Sequence, residues 1–281
     1  MVNTLISYPL DLIKSRFQVQ DGSLTHLPKY KGTLHALRVI YRTEGFRSLY
    51  TGATVGMMGA AVAWSSYMYV YNYMKDEMER GGYRLTKDKI ALASFLGGVG
   101  TMLITNPFWV IKTRLQVRVK GNSGAYNGVY DVVTRMYREE GLKSFYKGLF
   151  LSLVSAYHGS VQFVAYESFS TILLSVTGHN DLKGWIPFIA GGTSKILAQV
   201  TTHPLGVVRA RLQNESAVKM EDRVHKNTWD VAVRMMKNEG FFGFYKGFAP
   251  SMWRLALNSA LFFGLFEHIK LGLGYFSAFK K

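Results

Sequence analysis

A chain of 281 residues without a single cysteine can form no disulfide, no thiolate nucleophile and no sulfur-ligated metal site. Its formal net charge of +16 selects anionic partners: nucleic acid, anionic lipid or a small anionic ligand. Basic residues recur at helix ends rather than along one stripe, which disfavours nucleic acid. The seven histidines show no paired-ligand spacing, and no nucleophile–base or metal constellation marks an enzyme or a resident cofactor.

From the N-terminus, the first marked segment sets Pro9, Asp11, Lys14, Arg16 and Gln18 at fixed offsets. The eight residues before Pro9 span roughly 12 Å of helix, under half a bilayer core. The expectation is that the given sequence starts inside its first helix; no cleavable targeting segment is visible before the motif. A second marker follows, Glu44-Gly45 and then Tyr50-Thr51-Gly52, within a run from Ser48 to Met74 that holds no charge over 27 residues. Gly, Ala, Ser and Tyr dominate that run, and small residues let membrane helices pack closely. Trp64, Tyr67 and Tyr71 fall at i, i+3 and i+7 on one helix face, a surface on which a flat heteroaromatic ring could stack.

Both markers return twice. The charge-free run Ile90–Ile111 leads into Pro107, Trp109, Lys112, Arg114 and Gln116. Proline lacks a backbone donor and kinks a helix, so Pro9, Pro107 and Pro204, spaced 98 and 97 residues apart, predict three helices bent toward one axis. Beyond the kink, Lys112, Arg114 and Gln116 are expected to carry the helix out into water. Val129 to Glu140 reads as a short amphipathic surface helix with Val132, Val133, Met136 and Tyr137 on one side, ended by Gly141. Tyr146-Lys147-Gly148 opens the next charge-free run, which reaches Tyr166; free N–H groups at such a helix start can hold a phosphate. His158 and Gln162 lie one turn apart in that run, placed to hydrogen-bond ring nitrogens.

The third copy places a lone Lys195 in the apolar run before Pro204, then Gly206, Arg209, Arg211 and Gln213, Glu239-Gly240 and Tyr245-Lys246-Gly247. Arg254 is the single charge between Gly247 and Phe266. A mid-membrane Arg costs about 2.5–3.5 kcal/mol, which a bidentate carboxylate or phosphate would offset. A fixed internal period decides the architecture. The reading is an all-α membrane protein, a single domain over 1–281 made of repeats 1–80, 81–178 and 179–281. Six membrane helices form a bundle, with three short surface helices.

These residues resemble the mitochondrial carrier family, whose signature is Pro-x-acid-x-x-base-x-base, followed downstream by acid-Gly and aromatic-base-Gly. The match extends over all three repeats. The resemblance implies a three-fold barrel around a substrate cavity, two gates that open alternately, a monomer, and cardiolipin at the helix ends marked by Gly52, Lys147, Gly148, Lys246 and Gly247. It also implies the mitochondrial inner membrane, with plastid or peroxisomal membranes as alternatives. Trp109 in place of an acid is typical of the branch that carries pyrimidine nucleotides, NAD, flavin and folate. The segments around Pro28, His158–Glu167 and Val207–Gln213 look most like the flavin and folate carriers of that branch. The implied substrate is FAD or a folate; a pyrimidine nucleotide or NAD carrier, and a non-transporting membrane adaptor, are the alternatives.

The family's matrix gate pairs each signature acid with the signature base of the next repeat. Asp11 alone is acidic here and would pair with Lys112, leaving Arg209 and Lys14 without acids opposite Trp109 and Gly206. Gln18, Gln116 and Gln213 would brace the seams. On the cytoplasmic side the matching residues are Asn72, Lys75, Glu167, Ser170, Glu267 and Lys270, with Glu167–Lys270 and Glu267–Lys75 as pairs and Asn72 facing Ser170. One pair inside against two outside makes the matrix gate the looser. The family's contact points fall on Gly59, Ser155 and Arg254, beside Ala60, Ala156 and Leu255. With Trp64, His158, Gln162 and Lys195 they complete the expected substrate site.

Overall fold

The computed structural model of the chain describes residues 2–20, 30–81, 87–118, 126–155, 157–177, 186–214, 228–261 and 264. Among these every regular element is helical. The same order recurs three times: a long helix, a short surface helix, a 3-10 turn and a second long helix. The first repeat holds α1 (Val2–Val19), α2 (Thr33–Glu44) and α3 (Ala53–Arg80). The second holds α4 (Lys87–Val117), α5 (Val129–Arg135, prolonged by a π turn over Met136–Glu140), then α6 (Leu149–Ser155) and α7 (Tyr157–Thr177). The third holds α8 (Ile186–Asn214), α9 (Thr228–Glu239) and α10 (residues 248–261).

Glycine punctuates each unit at equivalent places. Gly45, Gly141 and Gly240 end the surface helices at φ +87, +74 and +68, a region that a Cβ disfavours. Gly52, Gly148 and Gly247 start the next helices, also at positive φ. The surface helices bury one apolar stripe against the first long helix of each repeat, α1, α4 and α8. In the second repeat Val132 and Met136 are fully buried against Val110, Ile111 and Leu115 of α4. Tyr137 lies at the edge of that stripe and is exposed, contrary to its expected place on it. Equivalent clusters join Ala36 and Ile40 to Leu12 and Ile13, and Val231 and Met235 to Val207 and Val208.

Two stretches, Ser94–Val117 and Leu142–Thr177, are long and apolar enough by themselves to cross a bilayer. α3 and α8, 28 and 29 residues long, reach about 42 Å at 1.5 Å per residue but are rich in small and polar residues. Pro9, Pro107 and Pro204 sit inside α1, α4 and α8, which stay helical beyond them.

The largest departure from expectation concerns the second base of each motif. Arg114 does not carry the helix into water; it is 1% exposed, and Arg16 and Arg211 are buried likewise. Each guanidinium grips the glutamate that ends its own repeat's surface helix. Arg16 pairs with Glu44, Arg114 with Glu140 at 2.7 and 2.9 Å, and Arg211 with Glu239 at 2.6 and 2.9 Å. The remaining Nε–H crosses to the next repeat: Arg16 to the Gln116 carbonyl, Arg114 to that of Gln213 and Arg211 to that of Gln18, at 3.0–3.1 Å. The carboxylates compensate the desolvated guanidinium groups, so the positive ends turn inward. Three repeats close into a ring this way.

Removing one partner strands a buried charge at a cost of about 3–5 kcal/mol. Arg114→Ala should therefore lower the unfolding temperature of detergent-solubilised protein far more than Arg234→Ala. The latter breaks only an exposed i,i+4 pair with Asp230, worth under about 1 kcal/mol. Burial pushes the Glu239 carboxyl up, but Arg211 and Lys246 outweigh it and hold the group below its ordinary value. A carboxylate so depressed contributes stability that is full above the ordinary carboxylate range and drains as pH falls through its folded-state value. Glu239→Gln should lower stability at neutral pH and flatten the decline on the acid side; superimposable pH–stability curves would contradict this.

Candidate functional site

Where α1, α4 and α8 converge, a single carboxylate faces several cations. Lys112 Nζ lies 2.6 Å from Asp11 Oδ2, and Arg254 Nη1 of α10 lies 3.3 Å from Asp11 Oδ1. Gln116 Nε2 donates to the same Oδ2 at 3.3 Å and to the Tyr8 hydroxyl at 3.0 Å. Ser15 donates to Gln116 Oε1 at 2.7 Å, and Tyr8 donates to the Thr51 carbonyl at 2.9 Å. This α1–α4 seam is fully furnished. Asp11 was expected to serve Lys112 alone; it also holds Arg254, because α10 follows Gly247 directly onto α1. A Cβ on Gly247 would stand 2.9 Å from the Lys14 carbonyl and 3.1 Å from Gln18 Cγ.

The other two seams repeat the layout with parts missing. Between α4 and α8, Thr113 donates to Gln213 Oε1 at 3.0 Å, but the acid position is Trp109. Its ring lies under Lys112 Nζ at 5.4 Å, and the Tyr8 ring lies at 5.5 Å from the same atom, cation–π contacts that steady Lys112. Gln213 Nε2 is buried without a hydrogen-bond partner, and Arg209 forms no ion pair among the described residues. Between α8 and α1, Gly206 and Ala210 provide neither carboxylate nor hydroxyl. Lys14 has no ion pair and the Gln18 amide no hydrogen bond among the described residues.

The remaining expected site residues are more dispersed. Gly59 is buried where a Cβ would meet Phe108 Cβ at 3.0 Å, so it sets the spacing of α3 on α4. Tyr67 and Tyr71 stack on each other at 6.0 Å and flank Gly97 of α4; that stretch of the aromatic stripe is helix packing. Trp64 is 69% exposed, and Ala60 is partly exposed. His158 Nδ1 lies 2.8 Å from Thr202 Oγ1 and so joins α7 to α8. The Ser155 hydroxyl bonds back to the Leu151 carbonyl at 2.6 Å. Gln162, Leu255 and Lys195 are partly exposed, Lys195 with no ion pair among the described residues. Ala156 lies outside the described residues.

Lys147 and Lys246 were read as phosphate ligands, yet each reaches a carboxylate: Glu140 at 3.6 Å and Glu239 at 2.7 Å. Lys246 also donates to the Gln20 carbonyl at 2.7 Å. Gly52 and Gly148 wedge against the following repeat. A Cβ on Gly52 would meet Leu115 Cβ and the Lys112 carbonyl at 3.4 Å, and one on Gly148 would meet Arg209 Cγ at 3.2 Å. On the opposite side Lys75 lies 3.9 Å from Glu79 of its own helix. Asn72 and Glu167 are exposed, and the buried Ser170 hydroxyl has no partner. Glu267 and Lys270 lie outside the described residues.

Sequence reasoning missed Tyr8, Ser15 and Thr113, and the glutamate partners of the buried arginines. The signal was present: Ser15 and Thr113 follow the acid position by four residues in their repeats, and each Glu-Gly pair follows its Arg by 26–28 residues.

The comparisons with known proteins agree with this three-fold layout. A family model described as mitochondrial carrier protein matches residues 1–81, 89–177 and 180–276. The chain is 31% identical to mitochondrial substrate carrier family protein M of Dictyostelium discoideum, over 98% of this chain and 92% of that protein. It is 33% identical to the chloroplastic folate transporter 1 of Arabidopsis thaliana, over 93% and 88%. It is 30% identical to the chloroplastic nicotinamide adenine dinucleotide transporter 1 of the same plant, over 93% and 85%. Cyclic closure by three equivalent arginines, three matches in register and full-length relatives lead to one conclusion. The chain belongs to the mitochondrial carrier family, a multi-pass transporter of the mitochondrial inner-membrane kind.

Proposed function

We propose that this carrier moves an anionic heteroaromatic cofactor, FAD or a reduced folate, by alternating access. The observation that supports this reading best is the cation excess at the convergence of α1, α4, α8 and α10. Lys14, Lys112 and Arg254 share Asp11 as their acidic neighbour there, and Arg209 lies beside Lys14. Arg254 is the pivotal group. It keeps one third of its surface open and holds Asp11 through Nη1 alone, while its buried Nε has no partner. A substrate phosphate or carboxylate would compete with Asp11 for it, since guanidinium binds both bidentately. Lys195 is a second cation for a dianionic substrate, and Trp64 is the ring left exposed for stacking. The folate relative at 33% identity favours folate or flavin. The NAD relatives at 28–30% keep NAD as the second reading.

In this reading Asp11–Lys112 closes the matrix side, Gln116 braces it, and an anion that draws Arg254 from Asp11 weakens that closure. States of an alternating carrier differ by only a few kcal/mol, so one ion-pair contact suffices to bias them. Cardiolipin phosphates would meet backbone N–H groups at the starts of α3, α6 and α10, since the neighbouring lysines are engaged.

Liposome uptake of FAD and tetrahydrofolate, with UTP and NAD as competitors, tests the substrate. Saturable FAD or folate uptake that falls at least about a hundredfold in Arg254→Ala, a loss of roughly 2.7 kcal/mol, is the expected outcome. Transport of NAD or UTP instead would overturn the substrate and retain the carrier. Partner binding without uptake of any of the four would favour an adaptor. Trp109→Asp gives Arg209 an acid and should slow uptake by stabilising the matrix-closed state; faster uptake would refute the gate assignment.

A further inference from the structure

The three seams are copies of one arrangement, so the complete one shows what the others lack. At the α1–α4 seam the Asp11 carboxylate receives Lys112 at 2.6 Å and Gln116 Nε2 at 3.3 Å. The α8–α1 seam offers the same two donors from the same positions one repeat on, Lys14 and Gln18. Gly206 stands where the carboxylate would be rooted. A Cβ built on Gly206 meets a single atom within 4 Å, Gln18 Nε2 at 3.9 Å. The amide donor therefore lies beside the space a carboxylate side chain would occupy, and no other side chain or neighbouring helix comes within that radius. Gln18 is only 5% exposed, and its amide has no hydrogen bond among the described residues. Lys14 feels the charges of Asp11 and of Arg209, and His203 feels that of Lys14; Arg209 and His203 stand three residues after and three before Gly206 on α8. Arg254, whose Nε is buried and unpartnered, is another electrostatic neighbour of Lys14. Gln18 is buried and Lys14 half-buried, so an acceptor placed in this gap would satisfy an amide donor that water only partly reaches.

We propose that an external anionic oxygen group, carboxylate or phosphate, occupies the Gly206 gap and completes the α8–α1 seam against Lys14 and Gln18. The gap lies on the opposite side of α1 from the Lys112 pair. It is distinct from the contact of Arg254 with Asp11; the free-ion arm of its test stands apart from the cofactor carried, and the FAD arm rests on the function proposed above. The anion has two possible sources: a free ion, or the acidic tail of the carried substrate.

Thermal unfolding of the full chain in detergent separates these, with inorganic phosphate, FAD and chloride as additives at constant ionic strength. The expected result is a saturable rise of several degrees with phosphate or FAD over chloride in the wild type. The rise should be absent in Gly206→Asp, which itself unfolds at a higher temperature without additive. Gly206→Ala, which adds bulk without charge, should keep the rise, and Lys14→Gln should lose it. A shift with phosphate assigns the site to a free ion; a shift with FAD alone assigns it to the substrate's tail. An equal rise in wild type, Gly206→Asp and Lys14→Gln would overturn the proposal, placing the anion elsewhere, and so would no rise with either additive. Should Gly206→Asp fail to fold, the contrast between Gly206→Ala and Lys14→Gln decides the question alone.

Discussion

Everything in this molecule hangs on three buried guanidinium groups. Arg16, Arg114 and Arg211 each neutralise a glutamate of their own repeat while donating to a backbone carbonyl of the next. One side chain thus performs two tasks, fastening a surface helix and fastening a neighbour. Because the last link returns from the third repeat to the first, the chain is closed without a covalent bond. The charges tolerate burial only because every guanidinium is paired and hydrogen-bonded at once. Packing follows from this. The apolar stripes of α2, α5 and α9 can be modest because electrostatics has already fixed where those helices lie.

Against that even frame the functional layer is uneven. Asp11, Trp109 and Gly206 occupy one position in three repeats and supply a carboxylate, a π face and nothing. The bases opposite them remain cationic. Charge excess is therefore concentrated at the floor of the barrel while the scaffold a turn away is neutralised. An anion that reaches this convergence meets a field set by Lys14, Lys112 and Arg254 rather than by the paired arginines of the scaffold.

The repeat order, the helix ends at Gly45, Gly141 and Gly240, and the proline positions were legible in the sequence because each is a local consequence of backbone chemistry. The Asp11–Lys112 contact was within reach too, through the resemblance to a family whose signature acid and base pair across repeats. What escaped were contacts set by how far one helix sits from another. Arg114 reads as a solvated base until α5 is known to fold back beneath it. His158 reads as a ligand until Thr202 of α8 is found beside it. Gly59 reads as a substrate contact point, whereas its missing Cβ leaves room for Phe108. Distance between elements separated by a hundred residues leaves no mark on periodicity. Arg254 sits between the two cases: its isolation in an apolar run marked it, but not the acid it would find.

The inequality of the seams has a mechanical consequence. A ring whose joints were equal would dilate like an iris, all three moving together. Here the α1–α4 joint carries an ion pair, a glutamine bridge, a serine hydroxyl and a tyrosine strut, while the α8–α1 joint lacks the first three. Strain applied to such a ring concentrates at its least fastened joint. The floor of this barrel would part first between the third repeat and the first, with the second repeat riding on the first as the jamb of a door.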